Sequence, residues 1–228
     1  NLVRARKEAE QILRLNKHSQ WAVEFLLSLS VQEKDWDQAA DRARQLQKLT
    51  GNKNPNELTI YTIYKGLEKM KQDKKNEAKS FFEKAIKQAP ELGLSYRYLG
   101  DVYAKSRDLV KAVENWERFA ELSPGNASMV FNEIESALFD LGRYSEVENF
   151  YRRVLDKNKN NLEAVIKLAN VLDEKGEHQA ALTLVEGSIQ PENVDIAVLV
   201  MKLKLSLSIS TPVELGHQID EILGHLHK

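Results

Sequence analysis

Apolar residues recur along this chain at helical rather than strand spacing. In the stretch YRYLGDVYAKSRDLVKAVENWERFAELSPG, residues 96–125, Tyr96, Leu99, Gly100 and Tyr103 fall on one face of a helix. A polar turn, KSRD, follows. Ala112, Trp116 and Phe119 then recur at i, i+4 and i+7 on a second helix, which Pro124 ends. The pattern predicts a helical hairpin. Gly100 in its first helix costs about 1 kcal/mol of helix propensity relative to Ala. A close approach by the second helix, through the small Ala112, would offset that cost.

The same design recurs. Shifted by 34 residues toward the N-terminus, Gly66, Ala78, Phe82 and Pro90 stand where Gly100, Ala112, Trp116 and Pro124 stood. Toward the C-terminus, LGRYSEV (141–147) precedes Tyr151 and Val154, and 34 residues later KGEHQAA (175–181) precedes Val185 and Ser188. Upstream, KDWDQAA (34–40) precedes Ala43 and Leu46. Units start near Gln20, Thr59, Gly93, Ser128 and Leu162, with spacings of 39, 34, 35 and 34. The long first gap falls on TGNKNPNE (50–57), whose Gly, Asn and Pro mark a longer connection, with Pro55 at the first position of a helix.

A period of 34 residues with this pattern is the tetratricopeptide signature. It predicts an all-α, right-handed superhelical solenoid of helical hairpins, about thirteen helices in one array. The expected units are 20–51, 55–90, 93–126, 128–160 and 162–192. Residues 1–17 read as the second helix of a truncated repeat, carrying Ala5, Ala9 and Ile12. Residues 193–228 read as a C-terminal hairpin, its second helix opened by Ser210 or Thr211 and Pro212. VLVMKLKLSLSI (198–209) also alternates like a strand, but no other strand is available to pair with it, so a helix is expected.

First helices of such hairpins line the concave side. The stripe opposite their packing positions gives a partner-binding groove of Ile60, Ile63, Tyr64, Leu67, Arg97, Asp101, Asn132, Ser136 and Asn170. The run Ile60 to Leu67 reads as an open apolar patch of the kind that marks a partner site, unless the long connection before it folds back to cover it. Arg97 and Asp101 are spaced i, i+4 and read first as an intrahelical salt bridge.

Composition narrows the chemistry. Lys plus Arg number 33 and Asp plus Glu 34, for a net charge of −1, so nothing draws the chain as a whole to nucleic acid or an anionic membrane. There is no cysteine, which excludes disulfides, thiolate metal sites and a cysteine nucleophile. No apolar run approaches the ~18–20 residues of a membrane span. His18, His178, His217, His225 and His227 lack metal-site spacing, and no phosphate-binding glycine loop occurs. Lys65, Lys69, Lys71, Lys74, Lys75 and Lys79 crowd one turn and read as a solvated edge, with contact to an acidic partner or lipid surface as the sharper alternative. No catalytic constellation, cofactor or metal is expected. The expected role is a non-enzymatic scaffold for proteins or peptides. A generic assembly factor for envelope or secretion machinery, or the repeat arm of a larger enzyme such as a glycosyltransferase, are the alternatives.

A narrower resemblance rests on AVEFLLSLSVQEKDWDQAADRARQLQKLTG, on Trp36 before the DQAA helix, on the stretched link at 50–57, and on the one-residue expansion before Ser128. In these, and through LFDLGRYSEVENFYRRVLD, the order of units resembles the lipopolysaccharide assembly protein B family. The resemblance implies a cytoplasmic adaptor tethered to the inner membrane, linking a lipid A pathway deacetylase to a membrane AAA+ protease. That family also carries an N-terminal membrane helix and a C-terminal four-cysteine metal module. With no starting Met and a half-unit at the front, this chain is expected to be the excised middle portion. A tetratricopeptide subgroup that clamps C-terminal carboxylates uses Lys and Asn on its first helices. Here those places carry Glu24/Ser28, Arg97/Asp101 and Ile166/Asn170, which disfavours that mode.

Overall fold

The computed structural model describes residues 2–52, 54–189, 195–209, 215–216 and 219, and among these there are helices and no strands. The helices are α1 (Leu2–Leu15), α2 (Gln20–Gln32), α3 (Trp36–Thr50), α4 (Pro55–Lys71), α5 (Lys75–Gln88), α6 (Gly93–Lys105) and α7 (Leu109–Leu122). A short 3-10 helix (Pro124–Val130) leads into α8 (Phe131–Asp140), followed by α9 (Ser145–Lys157), α10 (Leu162–Glu174), α11 (His178–Glu186) and α12 (Ile196–Ile209). Each helix from α1 to α6 packs on the next, and so does each from α8 to α12. The segment 198–209 is helical. The expected caps at Ser210, Thr211 and Pro212 lie outside the described residues.

The repeat is written in the backbone as well as in the side chains. Lys34, Asp73, Arg107, Gly142 and Gly176 all take positive φ, between 56° and 81°. Their spacings, 39, 34, 35 and 34, are those of the sequence units. Each sits between the two helices of a hairpin and closes the same pair of hydrogen bonds. At the first turn, Lys34 N–H donates to Val31 O at 3.1 Å and Asp35 N–H to Ser30 O at 2.9 Å. At the last, Gly176 N–H donates to Asp173 O and Glu177 N–H to Leu172 O. These are Schellman closures, which satisfy the last carbonyls of the first helix. Entry into the second helix is then capped: Asp35 accepts from Gln38 N–H, and Asp108 from Lys111 N–H. At the long first link, Asn54 accepts from Asn56 N–H and Pro55 opens α4, as a helix-start proline should.

One turn into the second helices stand Ala39, Ala78, Ala112, Val147 and Ala181, all buried and at the same spacing. Small side chains there let the partner helix come close. At Gly66 the approach is close. A Cβ at that position would lie 2.5 Å from Cε1 of Phe82, which is itself fully buried. The sequence pattern pointed to Gly100, which is likewise buried.

The chain forms two compact units, Asn1–Asn115 and Trp116–Lys228, divided within α7. In the first, Ile63, Ala78, Phe82, Ala85, Leu99 and Val102 form a continuous core joining α4, α5 and α6. In the second, the Phe131 ring meets Phe150 and Tyr151 edge-on, with centroids 5.7 and 5.0 Å apart. Full burial of one such side chain contributes about 1.5–3 kcal/mol, so each hairpin leans on its neighbours for stability.

Candidate functional site

In the first unit the expected groove residues lie on α4 and α6. Ile63 corrects the expectation: it is 1% exposed and lies in the core, not on a free face. It stands one helical turn after the buried Thr59 and three residues before the buried Gly66, so helical periodicity carries it to the inside. Ile60 and Leu67 are half-buried and pack on that same core. Tyr64 is the apolar-stripe residue that reaches solvent, 39% exposed, and its ring stacks on Trp36 at 4.6 Å between centroids. The patch is therefore narrower than its sequence suggests, because packing within the hairpins consumes most of it. On α6, Arg97 pairs with Asp101 one turn on, and both side chains are largely buried.

The second unit carries a polar face built twice from the same parts. On α8, Asn132 and Glu135 are three residues apart. Lys167 of α10 donates to Asn132 Oδ1 at 3.0 Å and to Glu135 Oε2 at 2.6 Å. The hydroxyl of Tyr151, from α9, donates to the other Glu135 oxygen at 2.8 Å. On α10, Asn170 and Asp173 repeat the three-residue spacing. Lys204 of α12 donates to Asn170 Oδ1 at 2.9 Å and sits 3.3 Å from Asp173 Oδ2. His178 of α11 meets Asp173 Oδ1 through Nδ1 at 2.7 Å. Each first-helix carboxylate is thus shared between its own second helix and the next first helix.

The electrostatics follow. The His178 bond, opposed in part by burial and reinforced by Lys204, holds the Asp173 carboxyl below the ordinary range. Burial, then the Glu135 bond, pushes the Tyr151 hydroxyl far above its ordinary value, so it stays a donor. Because each lysine occupies an asparagine carbonyl, the amide N–H groups of Asn132 and Asn170 stay directed away from these contacts. Asn132 and Ser136 are exposed and Asn170 half-buried, so α8 and α10 offer a donor-rich surface.

Sequence reasoning named Asn132, Ser136 and Asn170 but did not single out Glu135, Tyr151, Lys167, His178 and Lys204 as the residues that position them. A signal was present: Asn-x-x-acid occurs at 132–135 and 170–173, with a lysine 35 and 34 residues after the asparagine. The lysine-rich turn is mostly neutralised. Lys65 pairs with Asp37, Lys69 and Lys74 with Glu77, Lys75 with Asp73, and Lys79 with Glu83. Lys79 also lies 5.0 Å over the Tyr103 ring. Among the described residues no group of three or more His, Asp or Glu side chains is placed to hold a metal ion. His217, His225 and His227 lie outside the described residues.

Tetratricopeptide repeat models match residues 65–92 and 138–201. The chain is 22% identical over 169 residues to lipopolysaccharide assembly protein B of Escherichia coli K12, covering 74% of this chain and 43% of that protein. The counterpart from Escherichia coli O157:H7 matches to the same extent. The chain thus spans less than half the length of the curated relatives it matches. Similar solved structures include MamA, at 20% identity and TM-score 0.49 over 73% of this chain and 90% of that one. A Pseudomonas aeruginosa pilF structure has 14% identity and TM-score 0.49 over 96% and 90%.

Proposed function

We propose that this chain, which carries tetratricopeptide repeats, is a non-enzymatic scaffold that holds a polypeptide partner on the faces of its first helices. The observation that supports this is the pair of lysine-oriented asparagines. Lys167 and Lys204 fix Asn132 and Asn170 by their carbonyls, so two amide donors stand ready for the carbonyls of an extended chain without paying much side-chain entropy on binding. Ser136 adds a third polar group on the same face of α8, and Tyr64 gives the first unit an exposed aromatic anchor.

The identity of the partner is a further step of the same proposal. The 22% likeness to lipopolysaccharide assembly protein B supports a role in lipopolysaccharide assembly, with a lipid A pathway deacetylase and a membrane AAA+ protease as the proteins brought together. On this reading the chain works on the cytoplasmic side of the inner membrane. Among the described residues no helix is long and apolar enough to cross a membrane. The test is biolayer interferometry with the purified deacetylase and the protease's cytoplasmic part. Binding that falls about tenfold or more in Asn132→Ala/Asn170→Ala is expected, equivalent to about 1.4 kcal/mol. Absence of binding to either protein would reject the lipopolysaccharide role. Binding indifferent to both asparagines would reject the asparagine face.

A further inference from the structure

The lysines that crowd together in sequence are mostly spent on carboxylates, whereas three cations scattered through the first unit converge unspent on one cleft. Glu10, Leu13 and Arg14 of α1, Lys17 of the turn that follows, and Arg42 and Gln45 of α3 line an open cleft of about 520 Å3. Among the described residues none of Arg14, Lys17 and Arg42 has an ion-pair partner, while Arg4, Arg6 and Arg44 are paired with Glu8, Glu33 and Asp41. Glu10 precedes Arg14 by one helical turn and still does not bond it. Arg14 and Lys17 stand at the C-terminal end of α1, where a cation is favoured by the helix dipole. Arg42 has no such reason, since it lies in the middle of α3.

The cleft is also held in shape. Gln45 accepts from Arg42 Nη1 at 3.3 Å and donates from Nε2 to the Lys17 carbonyl at 3.5 Å. One amide thereby contacts both Arg42 and the turn that carries Lys17, the latter by a long bond. Leu13 adds an apolar side chain to the same lining.

We propose that this cleft binds an acidic segment of a partner protein, in which two carboxylates flank an aliphatic residue. Arg14 and Arg42 each match a carboxylate with their planar fork, Lys17 adds a compact third charge, and the aliphatic residue rests on Leu13. A phosphate group fits less well. None of the residues lining the cleft opens a helix, so the backbone donors that favour phosphate are not contributed by a helix start. The site is separate from the asparagine face, so it goes beyond the function proposed above, and its test involves neither asparagine.

Fluorescence anisotropy on the 228-residue chain tests it, with labelled acetyl-Asp-Glu-Leu-Asp-Glu-amide as the probe. The neutral probe with Asn and Gln in place of Asp and Glu, and inorganic phosphate as competitor, form the other arms. Saturable binding of the acidic probe is expected, weakened at least about tenfold by Arg14→Gln/Arg42→Gln. It should be unchanged by Lys84→Gln/Lys87→Gln, two exposed lysines of α5. Circular dichroism melts should show that both variants stay folded. The proposal is overturned if the acidic probe does not bind, if the neutral probe binds equally, or if the two double variants weaken binding alike. Displacement by low concentrations of phosphate overturns the commitment to a carboxylate segment.

Discussion

At the scale of single residues, two opposed effects meet at Gly66. Replacing it by Ala gains about 1 kcal/mol of helix propensity. The new Cβ would sit 2.5 Å from the fully buried Phe82 ring. Overpacking of that kind costs about 1–3 kcal/mol, so the clash is expected to win. Gly66→Ala should lower stability in urea unfolding, and Phe82→Leu in the same chain should recover part of the loss. Equal stability of Gly66→Ala and the parent chain would refute close packing at this position. Asp173 carries a pH prediction. Its folded carboxyl titrates below the ordinary Asp value, so its contribution is present above about pH 4 and drains away as pH falls through the depressed folded value. His178→Ala should move the Asp173 carboxyl upward in a carbon-detected NMR titration. An unmoved titration would contradict the contact.

At the scale of elements, the hairpin turn is the unit of construction. Arg107 adopts φ of 61° at a place where Gly142 and Gly176 stand in later repeats. A left-handed non-glycine residue costs about 1–2 kcal/mol, partly offset by the extra unfolded-chain entropy of glycine. Arg107→Gly should therefore raise stability by about 0.5–1 kcal/mol, measured by urea unfolding, and a loss would contradict the turn geometry. The clasps between hairpins differ in strength. Lys167 is 27% exposed against a Glu135 that is 19% exposed, whereas Lys204 is 53% exposed. Lys167→Met should cost about 1–2 kcal/mol in hydrogen exchange read at α8 and α10, and Lys204→Met under about 1 kcal/mol.

How legible all this was in the sequence depends on range. The 34-residue period and the long first link could be read because the apolar spacing, the small residues and Pro55 are local signals. Ile63 was misplaced although its signal was local: it stands three residues before Gly66, on the face that packs against Phe82. The Lys167–Glu135 and Lys204–Asp173 clasps left a trace, Asn-x-x-acid with a lysine about one repeat on, but charged residues are too common for that spacing alone to single them out.

At the scale of the whole molecule, charge is informative in its distribution rather than its sum. The chain is almost neutral, with 33 basic against 34 acidic residues. The lysine-rich turn, the most basic stretch in sequence, is answered by Asp37, Asp73, Glu77 and Glu83. The unpaired cations that share a cleft come from separate stretches of α1, its following turn and α3. The polar groups described on α8 to α12 orient side chains and join hairpins. A scaffold is expected to respond to mutation in this way: substitutions at the clasps shift stability, and substitutions on the exposed first-helix faces shift binding alone.

The most direct test of that claim is site-specific photo-crosslinking in a bacterial extract. A photoreactive side chain at Ser136, exposed on first helix α8, should capture discrete polypeptide adducts that Asn132→Ala suppresses. The same group at Asp156, exposed on second helix α9, should capture few or none. Adducts of equal yield from both positions, or none from Ser136, would contradict a partner-binding face on the first helices.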